Sequence, residues 1–258
     1  MQPILFEIRE SVAVITMNRP DKLNAFDRSM ALLLQAKLDE AASLKEVRCV
    51  VLTGTGKGFS AGQDLAEITE PQGPSMSQIL SEHYNPIVRR IRNMPKPVIA
   101  AVNGVAAGAG ANIALCCDIV VAASSASFIQ AFSRIGLIPD SGGTWFLPRL
   151  VGWQKALALA MLGEKVSALE AERLGMVYDV YRDEEFQQKV TELANRLSQM
   201  PTHGLALTKH AFNRSMSSSL EAQLELEDHF QQEAALTYDY REGVEAFIRK
   251  RTPVFRGE

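Results

Sequence analysis

The stretch KPVIAAVNGVAAGAGANIALCCDIVVAA, residues 96–123, decides the fold class. Its first part, KPVIAAVNG at 96–104, is a short apolar run ending in Asn-Gly and reads as a buried strand. AAGAGANIALCCD at 106–118 reads as a helix with a glycine-rich start, and IVVAA at 119–123 as the next strand. Two apolar strands joined through a helix pair in parallel, because the crossover brings the chain back to the same end of the sheet.

The same alternation extends outward. RCVVLTG (48–54) is another short buried strand, preceded by helix-spaced SMALLLQAKLDEAASL (29–44) and followed by helix-like MSQILSEHYNPIVRRIRNM (76–94). ILFEIRESVAVITM (4–17) alternates apolar and polar residues around Glu10-Ser11, which predicts a hairpin. From about Gln154 the pattern turns helical, with MVYDVY (176–181) alone reading as a strand. The expectation is an α/β core over residues 1–200, built as a spiral of recurring ββα units, followed by a helical region over 201–258.

Composition narrows the function. Of 258 residues 47% are hydrophobic and 22% charged, enough to fill a large core. Lys plus Arg is 27 against 30 for Asp plus Glu, a net charge of −3, which argues against nucleic acid and anionic membranes as partners. MQPILFEIRE at the start lacks a basic segment and its apolar run is too short for a leader or a membrane helix, so a cytoplasmic location is expected. Cys49, Cys116 and Cys117 have no metal-ligand spacing; they read as buried, reduced thiols, and no metal is expected.

Three turns carry the chemistry. In TGTGKGFSAGQDL (53–65), Gly56, Gly58 and Ala61 match a loose dinucleotide pattern, but Glu82, at the spacing where an acidic strand end is needed, lies in a helix-like segment. That leaves a plain loop, or one whose backbone amides near Ala61-Gly62-Gln63 face a ligand. NGVAAGAGAN (103–112) puts small residues at a helix start, which suits either close packing on a sheet or close approach of an amide to a ligand. Two such turns, each after a strand, could together form a two-donor oxyanion hole. In GLIPDSGGTWFLPRL (136–150), Asp140 stands between Pro139 and a Ser-Gly-Gly run, where it suits a helix cap or a catalytic base.

NRPDKLNAF (18–26), GKGFSAGQDL (56–65), the 96–123 stretch, IGLIPDSGGTWFLPRLVG (135–152), SALEAERLGMV (167–177) and REGVEAFIRKRTPVF (241–255) together resemble the enoyl-CoA hydratase/isomerase (crotonase) family. The resemblance runs in order through nearly the whole chain. It implies a crotonase-like α/β spiral with a C-terminal trimerisation region, and a homotrimer or dimer of trimers. It also implies an acyl-CoA thioester as substrate, with coenzyme A part of that substrate and no separate cofactor. The amides of Gln63 and Ala109 fall at the positions of the enolate-stabilising pair. Lys22, Leu23, Ala25, Ala61, Asp64 and Leu65 fall where relatives contact CoA, and Phe247 and Lys250 where a tail reaches a neighbouring subunit's CoA.

The same resemblance bears on the reaction. Hydratases of the family carry two glutamates, at positions that are Asn112 and Phe132 here, so hydration lacks its acid and base. Asp140 falls where isomerase-type relatives carry their acidic residue. YNPIVRRI (84–91), AAVNGVAAGAGAN (100–112), GLIPDSGGTWFLPR (136–149) and DYREGVEAFIRKRTP (239–253) are most similar to the ring-1,2-epoxyphenylacetyl-CoA isomerases of phenylacetate degradation. The implied reaction is epoxide to oxepin-CoA ester, with an accompanying ability to shift a 3,4 double bond to 2,3. Phe132, Trp145 and the helix around Tyr84 are candidate walls of the acyl pocket. The alternatives are a dienoyl-CoA isomerase, an enoyl-CoA hydratase with displaced acids, or a non-catalytic acyl-CoA- or RNA-binding member.

Overall fold

Ten strands form two sheets in the structure, a computed structural model that describes residues 2–258. The strands are β1 (Ile4–Arg9), β2 (Val12–Met17), β3 (Cys49–Gly54), β4 (Gly58–Ser60), β5 (Val98–Val102), β6 (Val105–Ala107), β7 (Ile119–Ala123), β8 (Ser127–Ile129), β9 (Lys165–Ser167) and β10 (Asp179–Tyr181). The larger sheet has the order β1-β2-β3-β5-β7-β10, and the smaller one β4-β6-β8-β9. β1 and β2 pair antiparallel as the predicted hairpin, and every other pair in the larger sheet is parallel.

Each turn of the spiral gives one strand to each sheet: β3 then β4, β5 then β6, β7 then β8. Of residues 96–104, read as one strand, β5 covers Val98–Val102. Strand β6, Val105–Ala107, follows it and takes in Ala106 and Ala107, read as the start of a helix. β4, β8 and β9 lie in segments that the sequence does not mark as strands. All four are three residues long, too short to show a period-2 pattern, and their partners hold them in place. β5, in contrast, is buried at every residue, as a strand covered on both faces must be.

The helix Ala109–Leu115 is buried throughout and lies against β4, β5 and β6. It fits because Gly110 has no side chain: a Cβ there would stand 2.4 Å from the Ser60 carbonyl oxygen. Residues 202–248 form three helices, Thr202–Ser215, Leu220–Ala235 and Tyr238–Ile248. Two cations, buried Lys209 and half-buried Arg48, tie this region to the spiral. Lys209 donates to the Ile91 carbonyl and to Asp118 (both 2.7 Å), and Arg48 donates to Thr202 Oγ1 and the Phe255 carbonyl (both 2.9 Å). Among the described residues, no helix is long and apolar enough to cross a membrane. Cys49, Cys116 and Cys117 are free and buried.

Candidate active site

The three loops that leave the smaller sheet after β4, β6 and β8 meet at one cavity of about 240 Å³. Its wall is mostly apolar: Leu65, Ile68, Met76, Ile79, Phe132 and Leu137 contribute, with Asp140 the single carboxylate.

The first loop, Ala61–Asp64, is held from two sides. Ala61 N–H donates to the Leu23 carbonyl (2.9 Å), and the buried Asn24 side chain donates to the Thr55 and Gly58 carbonyls. Phe26 bridges Gln63 in parallel register: Phe26 N–H donates to the Gly62 carbonyl (2.7 Å), and Asp64 N–H to the Phe26 carbonyl (2.8 Å). With the groups on either side of it turned toward Phe26, the Gln63 N–H points the other way, into the cavity. Ala109 N–H, in the first turn of its helix, likewise has no acceptor within that helix. The two loops touch at Gly62, whose φ is +86°. A Cβ there would stand 3.2 Å from Ala109 N and 2.9 Å from the Ala107 carbonyl, so only glycine leaves the second amide open. Two amides, one from each loop, are thus available to a thioester oxygen.

Asp140 comes from the third loop. It does not cap the helix Gly143–Val151, whose N-cap is Gly142 with no side-chain bond. Asp140 Oδ1 instead accepts from Ser141 Oγ (2.9 Å), leaving Oδ2 for the cavity. Burial pushes the carboxyl up from 3.8 to about 6, and the Ser141 hydroxyl partly opposes that rise. A carboxylate of that strength can take and return a proton near neutral pH. Tyr84, fully buried, donates its hydroxyl to Gln63 Oε1 (2.9 Å), and burial followed by the charge of Asp140 raises the phenol well above its ordinary value. It stays protonated.

A sequence profile described as enoyl-CoA hydratase/isomerase matches residues 7–258. The chain belongs to the enoyl-CoA hydratase/isomerase family. A protein named 1,2-epoxyphenylacetyl-CoA isomerase, from Escherichia coli strain K12, is 47% identical to it over 100% of both chains. A Rhodobacter capsulatus protein described as "Probable enoyl-CoA hydratase" is 46% identical over 98% of both. The crystal structure of an enoyl-CoA hydratase from Bacillus anthracis matches with a TM-score of 0.92 and 33% identity, covering 100% of each chain. This family membership and fold are those the sequence motifs implied.

Within this enoyl-CoA hydratase/isomerase fold, Gln63, Ala61, Leu65, Ala109, Phe132, Tyr84 and Asp140 all line the one cavity. Lys22, Leu23 and Ala25 stand beside it, brought there by the Ala61–Leu23 bond; Lys22 and Leu23 are exposed and Ala25 is buried. Asp64 is occupied, paired with Arg19 (2.9 Å) and accepting from Ala66 N–H (3.2 Å). Phe247 and Lys250 do not reach the cavity of their own chain; Phe247 is 86% exposed and borders a separate hollow with Pro201, Tyr240 and Phe255.

Two residues sit differently from the sequence expectation. Asn112 is buried and does not line the cavity; its amide faces the Asp140 carbonyl and Gln130. Trp145 also stays out of the wall, packing edge-on to Phe146 (4.7 Å) beneath the Arg149 guanidinium. Ser141 and Gln130 escaped the sequence reading. Ser141 adjoins Asp140 and could have been considered with it, whereas nothing local marks Gln130.

Proposed function

We propose that this protein is an acyl-CoA isomerase that works through a thioester enolate with Asp140 as the only proton-carrying group. The Gln63 and Ala109 amides take the charge of the enolate oxygen. Asp140 removes the acidic proton beside the thioester and returns it further along the conjugated system, so no atom is gained or lost. The observation that carries this reading is one carboxylate, raised to about 6, in a mostly apolar cavity beside two open amides. Phe132, 5% exposed, fills the wall where a second carboxylate would serve a hydratase, and helps keep water from the enolate.

Similarity to the Escherichia coli isomerase favours ring-1,2-epoxyphenylacetyl-CoA as substrate and the oxepin-CoA ester as product, with 3-enoyl-CoA thioesters as further substrates. Lys22, Leu23, Ala25, Ala61, Asp64 and Leu65 would border the CoA moiety, Asp64 by holding the loop through Arg19. The 86% exposure of Phe247 and the exposed tail at Lys250 support a trimer or dimer of trimers in which this segment meets the neighbouring subunit's CoA. The description of the Rhodobacter relative favours a second reading, hydration of a 2-enoyl-CoA.

The test is turnover of the epoxide thioester and of a 3-enoyl-CoA by wild type and Asp140→Asn. Loss of a positioned base should lower both by a factor on the order of 100 or more. Near wild-type turnover in the variant removes Asp140 from the chemistry.

A further inference from the structure

The Asp140 loop is an improbable piece of backbone. Ser141 adopts φ +50° although it is not glycine, and Gly136 and Gly142 flank the region at +73° and +79°. Left-handed residues of this kind persist only where the surroundings hold them. One hold is internal: Gly143 N–H donates to the Asp140 carbonyl (2.7 Å). The other comes from outside the loop. Asn112 Nδ2 donates to the same carbonyl (2.9 Å), and Asn112 Oδ1 accepts from Gln130 Nε2 (2.8 Å). The chemistry fixes this orientation, because a flipped Asn112 amide would set oxygen against the Asp140 carbonyl. Gly143 closes over it: a Cβ there would stand 2.2 Å from Asn112 Nδ2.

Asn112 lies one turn along the helix whose first amide is that of Ala109. The helix that presents an oxyanion donor therefore also grips the backbone of the base. We infer that Asn112, oriented by Gln130, is a positioning residue that fixes Asp140 relative to the oxyanion hole. An amide serves here because it donates to one neighbour and accepts from the other, whereas an ionised carboxylate can only accept. The inference rests on Asp140 being the base.

Its test measures kcat, KM and the pH dependence of kcat for Asn112→Asp and Gln130→Met, with Asp140→Asn as control. Asn112→Asp keeps the shape but turns an acceptor toward the Asp140 carbonyl. A misplaced base should lower kcat by a factor on the order of 10 to 100 with KM little changed. The added negative charge should also move the acid limb to higher pH. The other titratable groups facing Asp140 are unaltered: Tyr84 from the segment Ile79–Tyr84, Arg134 from the cavity wall, and Glu67, which acts on Tyr84.

A buried new charge can prevent folding, and Gln130→Met avoids that. Gln130 is 3% exposed and its Oε1 has no hydrogen-bond partner, so an apolar chain of similar length removes one unsatisfied acceptor while leaving Asn112 Oδ1 without its donor. The expected result is a protein that stays folded through the assay, with a several-fold lower kcat and the same KM. A merely structural role would give unchanged kcat, and that outcome overturns the inference. If Asp140→Asn itself keeps its turnover, the base assignment fails and the inference falls with it. If Asp140→Asn is inactive while kcat in Gln130→Met is unchanged, the positioning role alone is refuted.

Discussion

Replacing Asp140 with asparagine should stabilise the folded protein at neutral pH while removing its turnover. Desolvation raises the carboxyl from 3.8 to about 6. At about 1.4 kcal/mol per pH unit, that rise is a penalty of about 3 kcal/mol on the ionised folded state. Above pH 6 the group is ionised folded and unfolded, and the whole penalty applies. Below 3.8 it is protonated in both states and the penalty vanishes, so it accrues as pH rises between these two values. Asparagine has no charge to desolvate, and its Oδ1 can still accept from Ser141. The variant should therefore match wild type near pH 4 and exceed it by up to about 3 kcal/mol near pH 8, less whatever residual solvent access screens. Urea unfolding across that range measures the difference. A stability difference that does not change with pH would mean the carboxyl is not desolvated, and the reason given for its strength as a base would be wrong.

The acid limb of the pH–rate profile should fall near pH 6, because Asp140 must be ionised to accept a proton; Ser141→Ala, which removes the hydroxyl that lowers the carboxyl, should move that limb upward, as stopped-time assays in a buffer series would show. Gly110→Ala places a Cβ 2.4 Å from the Ser60 carbonyl oxygen, and the overpacking should cost about 1–3 kcal/mol and displace the Ala109 amide. Denaturation and kcat measured on the same sample check both effects. Sedimentation at micromolar protein should give a mass that is a multiple of three chains, and a monomer would exclude the intersubunit role of Phe247 and Lys250.

The parts of this architecture that depend on long apolar patterns were readable in the chain. β3, β5 and β7 are central strands, and their apolar runs identify them. The smaller sheet was not readable, because Gly58–Ser60, Val105–Ala107, Ser127–Ile129 and Lys165–Ser167 are strands by virtue of their partners. The segment 76–94 shows helix spacing throughout, yet Ile79–Tyr84 forms a π turn that sets Ile79 and Tyr84 together at the cavity. Asp140 shows the limit for a site residue: proline, aspartate, serine and glycine make the same sequence whether the carboxyl caps a helix or faces a cavity. Asn112 was legible only as a missing carboxylate. Its role depends on the carbonyl of Asp140, brought to it across the spiral.

The most direct measurement compares, on one wild-type preparation, the hydration of crotonyl-CoA with the isomerisation of a 3-enoyl-CoA thioester. Hydration is followed by loss of the conjugated enoyl-thioester absorbance and isomerisation by its appearance. With one carboxylate and Phe132 in the cavity wall, isomerisation should exceed hydration by a factor on the order of 100 or more, since water lacks a second acid–base group. Hydration as fast as isomerisation would contradict the single-base mechanism and make this protein a hydratase.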